Sequence, residues 1–330
     1  MPKLRRSERQ AMMNQPSNAG KVGIRPPSSD ELDLSSRRLL VIGGTNGLGR
    51  AIAGLAMARG ADVTVVGRTL RQFPEGQLKF VRADLSLMAD ALRLGEDLAV
   101  EDIDVALFTA GIIAAKTREQ TAEGIERDMA VSFLNRVAIL RGVSGRLGIA
   151  RAAGAPRPRV FVMGSPGSGQ LGNPDDLNSE ELKYRAMAAH ANTIAGNEAL
   201  ALGANGMFPG PAYFGLGPGL IKTGIRENWM GRDGGLGYGL FEGAIGLFLQ
   251  SPNQYARRIV PLLFTPDLNG RSGILFNRKG RPTSPSKGFD GSYVTRYMIA
   301  TTQLLNRALA VHDRRRAHEA EPARNRQPWA

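Results

Sequence analysis

Three glycines in one short stretch are the residues whose spacing points most directly to chemistry. Gly43, Gly47 and Gly49 follow an apolar run at residues 39–42 and open an amphipathic segment, which is the pattern of a strand, a tight turn and a helix. In such a turn the first glycine permits the bend, the second lets the backbone approach a diphosphate, and the third lets the helix pack closely on the sheet. The free N–H groups of the helix then face the phosphates. The predicted phosphate-binding residues are Gly43, Thr45, Asn46, Gly47, Leu48 and Gly49.

The next predicted strand indicates which dinucleotide the turn would bind. It ends at Gly67-Arg68-Thr69, about twenty residues after the glycines, where an NAD site places an Asp or Glu for the ribose 2′-hydroxyl. No acidic residue stands there, and the guanidinium of Arg68 can pair with a 2′-phosphate. A solvent-exposed arginine without a ligand would give the same pattern. We therefore favour NADP over NAD as the cofactor.

Together with the glycine turn, further motifs make the sequence similar to the short-chain dehydrogenase/reductase family, and to its retinol-dehydrogenase-like branch. The resemblance covers most of residues 37–280. The glycines occupy the glycine positions of the family's T-G-x-x-x-G-x-G motif, although Ile42 replaces its threonine. Thr109-Ala110-Gly111 resembles the family's N-A-G, with Thr109 in place of the asparagine.

Two other segments resemble parts of the family's cofactor site. Asp84-Leu85, at the end of the third predicted strand, resembles the pair that contacts the adenine. Pro218-Gly219 followed by Thr223 resembles the P-G-x-x-x-T segment beside the nicotinamide. The resemblance implies that the cofactor is also contacted by Asp84, Leu85, Ala110, Gly111, Pro218, Gly219 and Thr223.

The resemblance also implies a reacting centre. In the family a tyrosine is the general acid/base, a serine holds the substrate oxygen, a lysine lowers the tyrosine pKa and binds ribose, and an asparagine extends the proton relay. Ser165, after the fifth predicted strand, takes the serine position, and Tyr184, nineteen residues later, takes the tyrosine position. Ser132 stands where the asparagine is expected, and Asn135 lies three residues downstream and would compensate in part.

The family's lysine has no equivalent at its usual spacing. Ala188 stands four residues after Tyr184, where the lysine would be. Lys183 and His190 point to other sides of the predicted helix, so we assign His190 a core or capping role. We expect Lys222 to lie near the cofactor and to supply part of the missing charge.

Two functions follow from these residues. The first is an NADP-dependent oxidoreductase that transfers hydride between the nicotinamide and a carbonyl or alcohol. The alternative is a catalytically impaired dinucleotide-binding protein with a sensing or structural role, because Ala188 replaces the lysine.

The elements that must position these residues alternate short β-branched runs with longer amphipathic segments, as in a parallel sheet covered by helices. The predicted strands are Leu39–Ile42, Asp62–Val66, Leu78–Val81, Asp104–Phe108, Arg159–Met163, Tyr213–Leu216 and Ile274–Asn277. The predicted helices are Leu48–Arg59, Leu87–Leu98, Ala122–Gly148, Glu180–Leu202 and Gln254–Leu263. We predict an α/β fold, a Rossmann-type doubly wound parallel sheet of about seven strands flanked by helices, in a single domain spanning residues 37–310.

Composition excludes several other classes. The chain has no cysteine and three histidines, which excludes disulfides and thiolate metal sites and argues against a histidine metal site. The net charge is +13, but part of the excess lies in residues 1–36 and 311–330, which we predict to be disordered tails, and nucleic-acid binding is not expected. No apolar run is long enough to span a membrane, so we expect a cytoplasmic protein.

The partner is expected to be a small molecule. Residues 224–250 are rich in glycine and aromatic residues and are expected to form a substrate loop, which favours an apolar or aromatic substrate. A homo-oligomer is a further expectation from the family resemblance.

Overall fold

The computed structural model describes residues 23–70, 73, 78–143, 145–219 and 251–320. Predicted features outside these residues are Lys222, Thr223, the substrate loop at 224–250, and the chain ends 1–22 and 321–330.

One eight-stranded sheet forms the centre of the described fold, in the order β3-β2-β1-β4-β5-β6-β7-β8. The strands are β1 (Arg38–Ile42), β2 (Asp62–Gly67), β3 (Leu78–Arg82), β4 (Val105–Phe108), β5 (Arg159–Met163), β6 (Ala212–Leu216), β7 (Ile274–Phe276) and β8 (Pro282–Thr283). All neighbouring pairs are parallel except β7 and β8. The predicted doubly wound parallel sheet is confirmed, with an eighth, antiparallel strand of two residues that the sequence analysis missed.

Helices cover both faces of this sheet. They are α1 (Gly47–Ala58), α2 (Met88–Asp97), α3 (Arg127–Met129), α4 (Asn135–Val143), α5 (Ala186–Met207), α6 (Pro252–Phe264) and α7 (Gly291–Ala320). A π-helical turn, Ala130–Leu134, joins α3 to α4, and a short 3₁₀ helix spans Pro266–Leu268. Helices α1 and α6 pack together on one face, while α2, α4, α5 and α7 pack on the other.

The hydrophobic core lies in two layers, one on each side of the sheet. Along β5, Val160 and Val162 belong to one layer, and Phe161 and Met163 belong to the other. Successive side chains of a strand point to opposite faces, so a strand buried on both faces is apolar throughout. The strand order reverses at β1, which pairs with β2 on one side and with β4 on the other. Ligands of such sheets bind beyond the carboxyl ends of the strands at that point.

The helix that we predicted over Glu180–Leu202 begins later, at Ala186. The carboxylate of Asp176 accepts hydrogen bonds from the backbone N–H groups of Glu180, Glu181 and Leu182 at 2.7, 3.2 and 3.2 Å. These amides are therefore held in a turn. The prediction that Tyr184 lies within this helix was wrong.

The predicted helix Ala122–Gly148 is also shorter in the structure. Glu126 accepts the N–H of Met129 at 2.7 Å and so caps α3, and the helical stretch ends at Val143 with α4. Gly124, just before this cap, has a φ of +79°, a backbone conformation outside a right-handed helix.

The two predicted tails are partly ordered. Helix α7 continues to Ala320, so residues 311–320 are helical, contrary to the predicted disorder. Near the other end, Leu34 is 1% exposed, and the backbone N–H of Arg25 donates to Asp267. Among the helices of the described ranges, none combines the length and apolarity that a membrane span requires.

Candidate active site

The glycine turn lies against the end of β4. Gly43 has a φ of +92°, and a Cβ added there would lie 2.5 Å from the Ala110 nitrogen. A Cβ added to Gly49 would overlap the Gly43 oxygen and the Thr109 hydroxyl. The Thr109 Oγ1 in turn lies 3.1 Å from the carbonyl oxygens of Ile42 and Gly43. Thr109 therefore ties the turn to β4 from the position that the family gives to asparagine.

The start of α1 offers donors to an anion. Gly47 has a φ of +53°, and Asn46 before it is extended. In this first turn, which lies wholly within the described residues, no side-chain cap bond from Asn46 and no acidic residue occupies the N–H groups. These are features that suit a diphosphate.

The end of β2 lies beside this turn. A Cβ added to Gly67 would lie 2.6 Å from the Thr45 hydroxyl, so the strand and the turn are in close contact. Arg68 follows directly and is exposed. Arg68, whose guanidinium can pair with a phosphate, thus directly follows the strand end that contacts the glycine turn.

The segments after β3 and β4 also lie at the carboxyl edge of the sheet. Asp84 is exposed and accepts the N–H of Ser86 at 3.0 Å, while Leu85 is buried. Ala110 is tied to β1 through its N–H, which donates to Ile42 at 3.1 Å. A Cβ added to Gly111 would lie 3.5 Å from the Ser132 hydroxyl. Leu85, Ala110 and Gly111 thus shape this edge mainly through backbone.

Ser165 lies in a loop that a buried carboxylate holds in place. Glu198 on α5 is 1% exposed and accepts the N–H of Gly167 at 3.0 Å. It also accepts the N–H and hydroxyl of Ser286, at 2.5 and 2.8 Å. Ser165 itself is half-buried between β5 and this loop. The loop that carries the predicted serine is therefore fixed from α5.

The backbone after β6 is fixed as well. The N–H of Gly217 donates to Phe276 at 2.7 Å, and the Tyr255 hydroxyl donates to the Gly217 carbonyl at 3.2 Å. Pro218 and Gly219 follow, and Gly219 has a φ of +69°.

Ser132 lies in the π-helical turn and contacts the non-helical segment that follows Gly111. Its hydroxyl accepts the N–H of Ile112 at 2.9 Å and donates toward Asp128 Oδ1 at 2.5 Å. Asn135 does not compensate in the way that we expected. Its amide is buried and donates back to the carbonyls of Ala130 and Val131, which stabilises the π-helical turn itself.

Tyr184 lies in the segment before α5, and its hydroxyl is held by acceptors. It donates to Glu126 Oε1 and to the carbonyl of Ala115, each at 3.2 Å. Burial and the neighbouring Glu126 carboxylate raise the pKa of Tyr184, and burial raises the pKa of Glu126. The family's tyrosine has a cation beside it, whereas Tyr184 has a carboxylate.

His190 makes a contact with a buried carboxylate that the sequence did not predict. Its Nδ1 lies 2.7 Å from Asp128 Oδ2, and Asp128 is completely buried. The imidazole side chain itself is 22% exposed. Because we placed the helix around Tyr184, we turned His190 away from the site, and no sequence signal paired it with Asp128, which lies 62 residues earlier.

The same side of α5 carries two further buried polar residues. Thr193 and Asn197 follow His190 by three and seven residues, which is one helix face. The Asn197 amide donates to the Ser132 carbonyl at 2.9 Å, and a Cβ added to Gly164 would lie 2.7 Å from the Asn197 Cβ. This face of α5 therefore packs against the π-helical turn and the end of β5.

A buried arginine provides a cation at the ends of β4 and β5. The Arg136 guanidinium donates to the carbonyls of Met163 at 2.6 Å and Ala110 at 2.8 Å, and to the Asn197 side chain. Burial lowers the pKa of Arg136 to about 9, so it remains charged at neutral pH. The spacing of the family's lysine from its tyrosine does not predict this cation, because Arg136 lies on α4 rather than α5.

Known proteins were compared with this chain in sequence and in structure. No family model matches the sequence. An uncharacterized oxidoreductase of Saccharomyces cerevisiae is 42% identical over 283 residues, which are 85% of this chain and 91% of the yeast protein. Dehydrogenase/reductase SDR family member 12 of Bos taurus is 25% identical over 273 residues, 78% of this chain and 81% of the bovine one.

Among solved structures, RhlG of Pseudomonas aeruginosa in an active-site complex with NADP has the same fold. The TM-score is 0.53 at 19% identity, over 76% of this chain and 97% of that one. The sequence relationship to the yeast oxidoreductase, together with the motifs that the fold brings to one edge of the sheet, shows that the chain is an oxidoreductase and a divergent member of the short-chain dehydrogenase/reductase family.

Proposed function

We propose that the protein is an NADP-dependent oxidoreductase that transfers hydride between the nicotinamide and a carbonyl or alcohol carbon. The observation that carries this proposal is the glycine turn. It packs against Thr109 and Ala110, leaves the first N–H groups of α1 open to an anion, and has Arg68 beside it. The solved relative with NADP at its active site supports a nicotinamide cofactor of this type.

The protein's own residues would divide the work along the carboxyl edge of the sheet. The glycine turn would bind the diphosphate, Arg68 the 2′-phosphate, and Asp84 with Leu85 the adenine side. Ala110, Gly111, Pro218 and Gly219, with Lys222 and Thr223 beyond the described residues, would border the nicotinamide. The bound cofactor supplies the hydride. Ser165 would hold the substrate oxygen in the loop that Glu198 fixes, and Ser132 would hold the far end of the proton relay.

The alternative of an impaired dinucleotide-binding protein was based on the missing lysine. Its strongest support is now the carboxylate next to Tyr184, which disfavours a phenolate. The oxidoreductase relatives favour catalysis instead. A proton donor other than Tyr184 would reconcile the two observations.

The test is cofactor selectivity, measured by calorimetry with NADP and NAD on wild type and Arg68→Glu. Hydrogen bonds to a charged group are worth about 1.5–3 kcal/mol. We therefore expect the variant to bind NADP about 10- to 150-fold more weakly, with NAD affinity unchanged or improved.

Arg271→Glu is the matched control, because Arg271 is exposed and precedes β7 at the opposite edge of the sheet. It makes the same change in net charge and should leave both affinities within about twofold, given screening over a Debye length of about 10 Å. Equal weakening by both variants would refute the role of Arg68, and wild type that binds neither nucleotide would refute the proposed function.

A further inference from the structure

Three side chains from separate helical segments form a buried hydrogen-bonded chain near the candidate site. His190 Nδ1 lies 2.7 Å from Asp128 Oδ2, and Asp128 Oδ1 lies 2.5 Å from the Ser132 hydroxyl. A carboxylate can only accept, so it holds His190 with the proton on Nδ1. The other ring nitrogen, Nε2, is left to exchange a proton with something else.

The ring of His190 is partly exposed, unlike the carboxylate that it contacts. The His190 side chain is 22% exposed, whereas Asp128 is completely buried. Nδ1 contacts the buried carboxylate, and Nε2 has no hydrogen-bond partner among the described residues. In this arrangement the carboxylate orients the imidazole through Nδ1, and Nε2 is left for proton exchange.

His190 shares one face of α5 with Asn197, a residue that packs beside Ser165. Asn197, two helical turns further on the same face, packs against Gly164 next to Ser165. Both residues also connect to Ser132, His190 through Asp128 and Asn197 through the Ser132 carbonyl.

We infer that His190, oriented by Asp128, is the general acid/base that exchanges the proton of the substrate oxygen, the role that a tyrosine has in most of the family. This inference deepens the proposed function and rests on it. Tyr184 is the competing residue, and its hydroxyl is already engaged with Glu126 and Ala115.

The proton balance is complete with the groups at hand. In carbonyl reduction the bound NADPH would supply hydride to the substrate carbon and be oxidised to NADP⁺, so that its C4–H bond and the carbonyl π bond break and the new C–H bond forms. The Nε2–H bond of a protonated His190 would break as the O–H bond of the alcohol forms. His190 is left neutral, with its proton still on Nδ1 and hydrogen-bonded to Asp128. Nε2 then takes up a new proton from water. In alcohol oxidation the neutral ring accepts the hydroxyl proton.

The charged and titratable groups around this chain come from several elements. They are Asp128 on α3, Arg136 on α4, Glu126 before α3, and Tyr184 before α5. Asp128 contacts the His190 ring directly, whereas Arg136 is attracted to Asp128.

The first experiment observes the histidines without turnover. The chain has three histidines, so ¹⁵N-histidine labelling gives a spectrum in which His190→Gln and His312→Gln assign the signals. NADP⁺ bound near the reacting centre should shift the His190 signals, since the nicotinamide ring is cationic. His312, on α7 and 3.9 Å from Glu123, should not move. A His190 that is unmoved at NADP⁺ saturation would overturn the inference.

The second experiment measures NADPH oxidation with a panel of aromatic aldehydes and ketones across pH. His190→Gln should lower kcat by about 10²- to 10⁴-fold, with KM for NADPH within about threefold of wild type. His312→Gln should match wild type. Loss of activity in Tyr184→Phe with His190→Gln unaffected would overturn the inference while the proposed function stands, whereas absence of nucleotide binding to wild type would overturn the proposed function itself.

Discussion

Replacing Gly43 with alanine tests the close packing of the glycine turn on Ala110, on which the proposed cofactor site depends. The residue has a φ of +92°, and an added Cβ would lie 2.5 and 2.8 Å from the Ala110 nitrogen and Cα. Both are backbone atoms, so no side-chain rotation can relieve the overlap. A left-handed alanine costs about 1–2 kcal/mol, and overpacking costs a further ~1–3 kcal/mol. Gly43→Ala should therefore lower the free energy of unfolding by about 2–5 kcal/mol.

Gly154→Ala separates the two contributions. Gly154 has a φ of +80° in an exposed loop, and a Cβ added there meets no atom within 4 Å. This variant carries the backbone strain alone and should lose about 1–2 kcal/mol. The difference between the two variants is then the cost of forcing the turn away from β4.

The assay combines urea unfolding with calorimetric titration of NADP. We expect Gly43→Ala to bind NADP at least about tenfold more weakly, a loss of ~1.4 kcal/mol, because the displaced turn no longer aims its N–H groups at the phosphates. Gly154→Ala should bind as wild type does. If Gly43→Ala lost no more stability than Gly154→Ala and bound NADP normally, the turn would not lie against Ala110. The proposed role of the glycine turn in binding the diphosphate would then be refuted.

Two further predictions concern buried carboxylates. Glu198→Gln places an amide N–H against the N–H of either Gly167 or Ser286, because these donate to different carboxylate oxygens, so urea unfolding should show a loss of about 1–3 kcal/mol. A loss below ~0.5 kcal/mol would contradict the bonding. Burial raises the pKa of Glu126, so its charged form is disfavoured in the folded state. The stability of wild type relative to Glu126→Gln should thus be greatest below the ordinary pKa of about 4.5 and fall as pH rises through the raised value, and a difference independent of pH over 4–8 would contradict this.

The sheet and the cofactor turn were predictable because their signals are local. Strand β5 was predicted with its observed bounds, since a fully buried parallel strand reads as one short apolar run. The glycine turn needs conformations that only glycine adopts cheaply, and so its residues stand out in the sequence. Both signals lie within a few residues of one another along the chain.

The start of α5 and the side-chain contacts around it were predicted less well, because the residues in contact are distant in sequence. The start of α5 depends on Asp176, which captures amides that a propensity argument assigns to the helix. Shifting that start leaves Tyr184 outside the helix and changes which residues share a face with it. The bond between Glu198 and Ser286 spans 88 residues, and the one between His190 and Asp128 spans 62. No pattern within a few residues of the sequence predicts hydrogen bonds between residues so far apart.

The position of Asp128 argues that this polar cluster is more than packing. A completely buried carboxylate costs several kcal/mol unless charges and hydrogen bonds compensate it. Here Ser132 donates to one oxygen, His190 meets the other, and the attraction of buried Arg136 acts on the same group. An apolar side chain at this position would avoid that cost altogether, as buried ion pairs replaced by hydrophobic residues commonly do. The chain instead places an arginine, a serine and a histidine around one buried carboxylate. Orienting the partly exposed imidazole of His190 is the chemical role that we infer for this carboxylate.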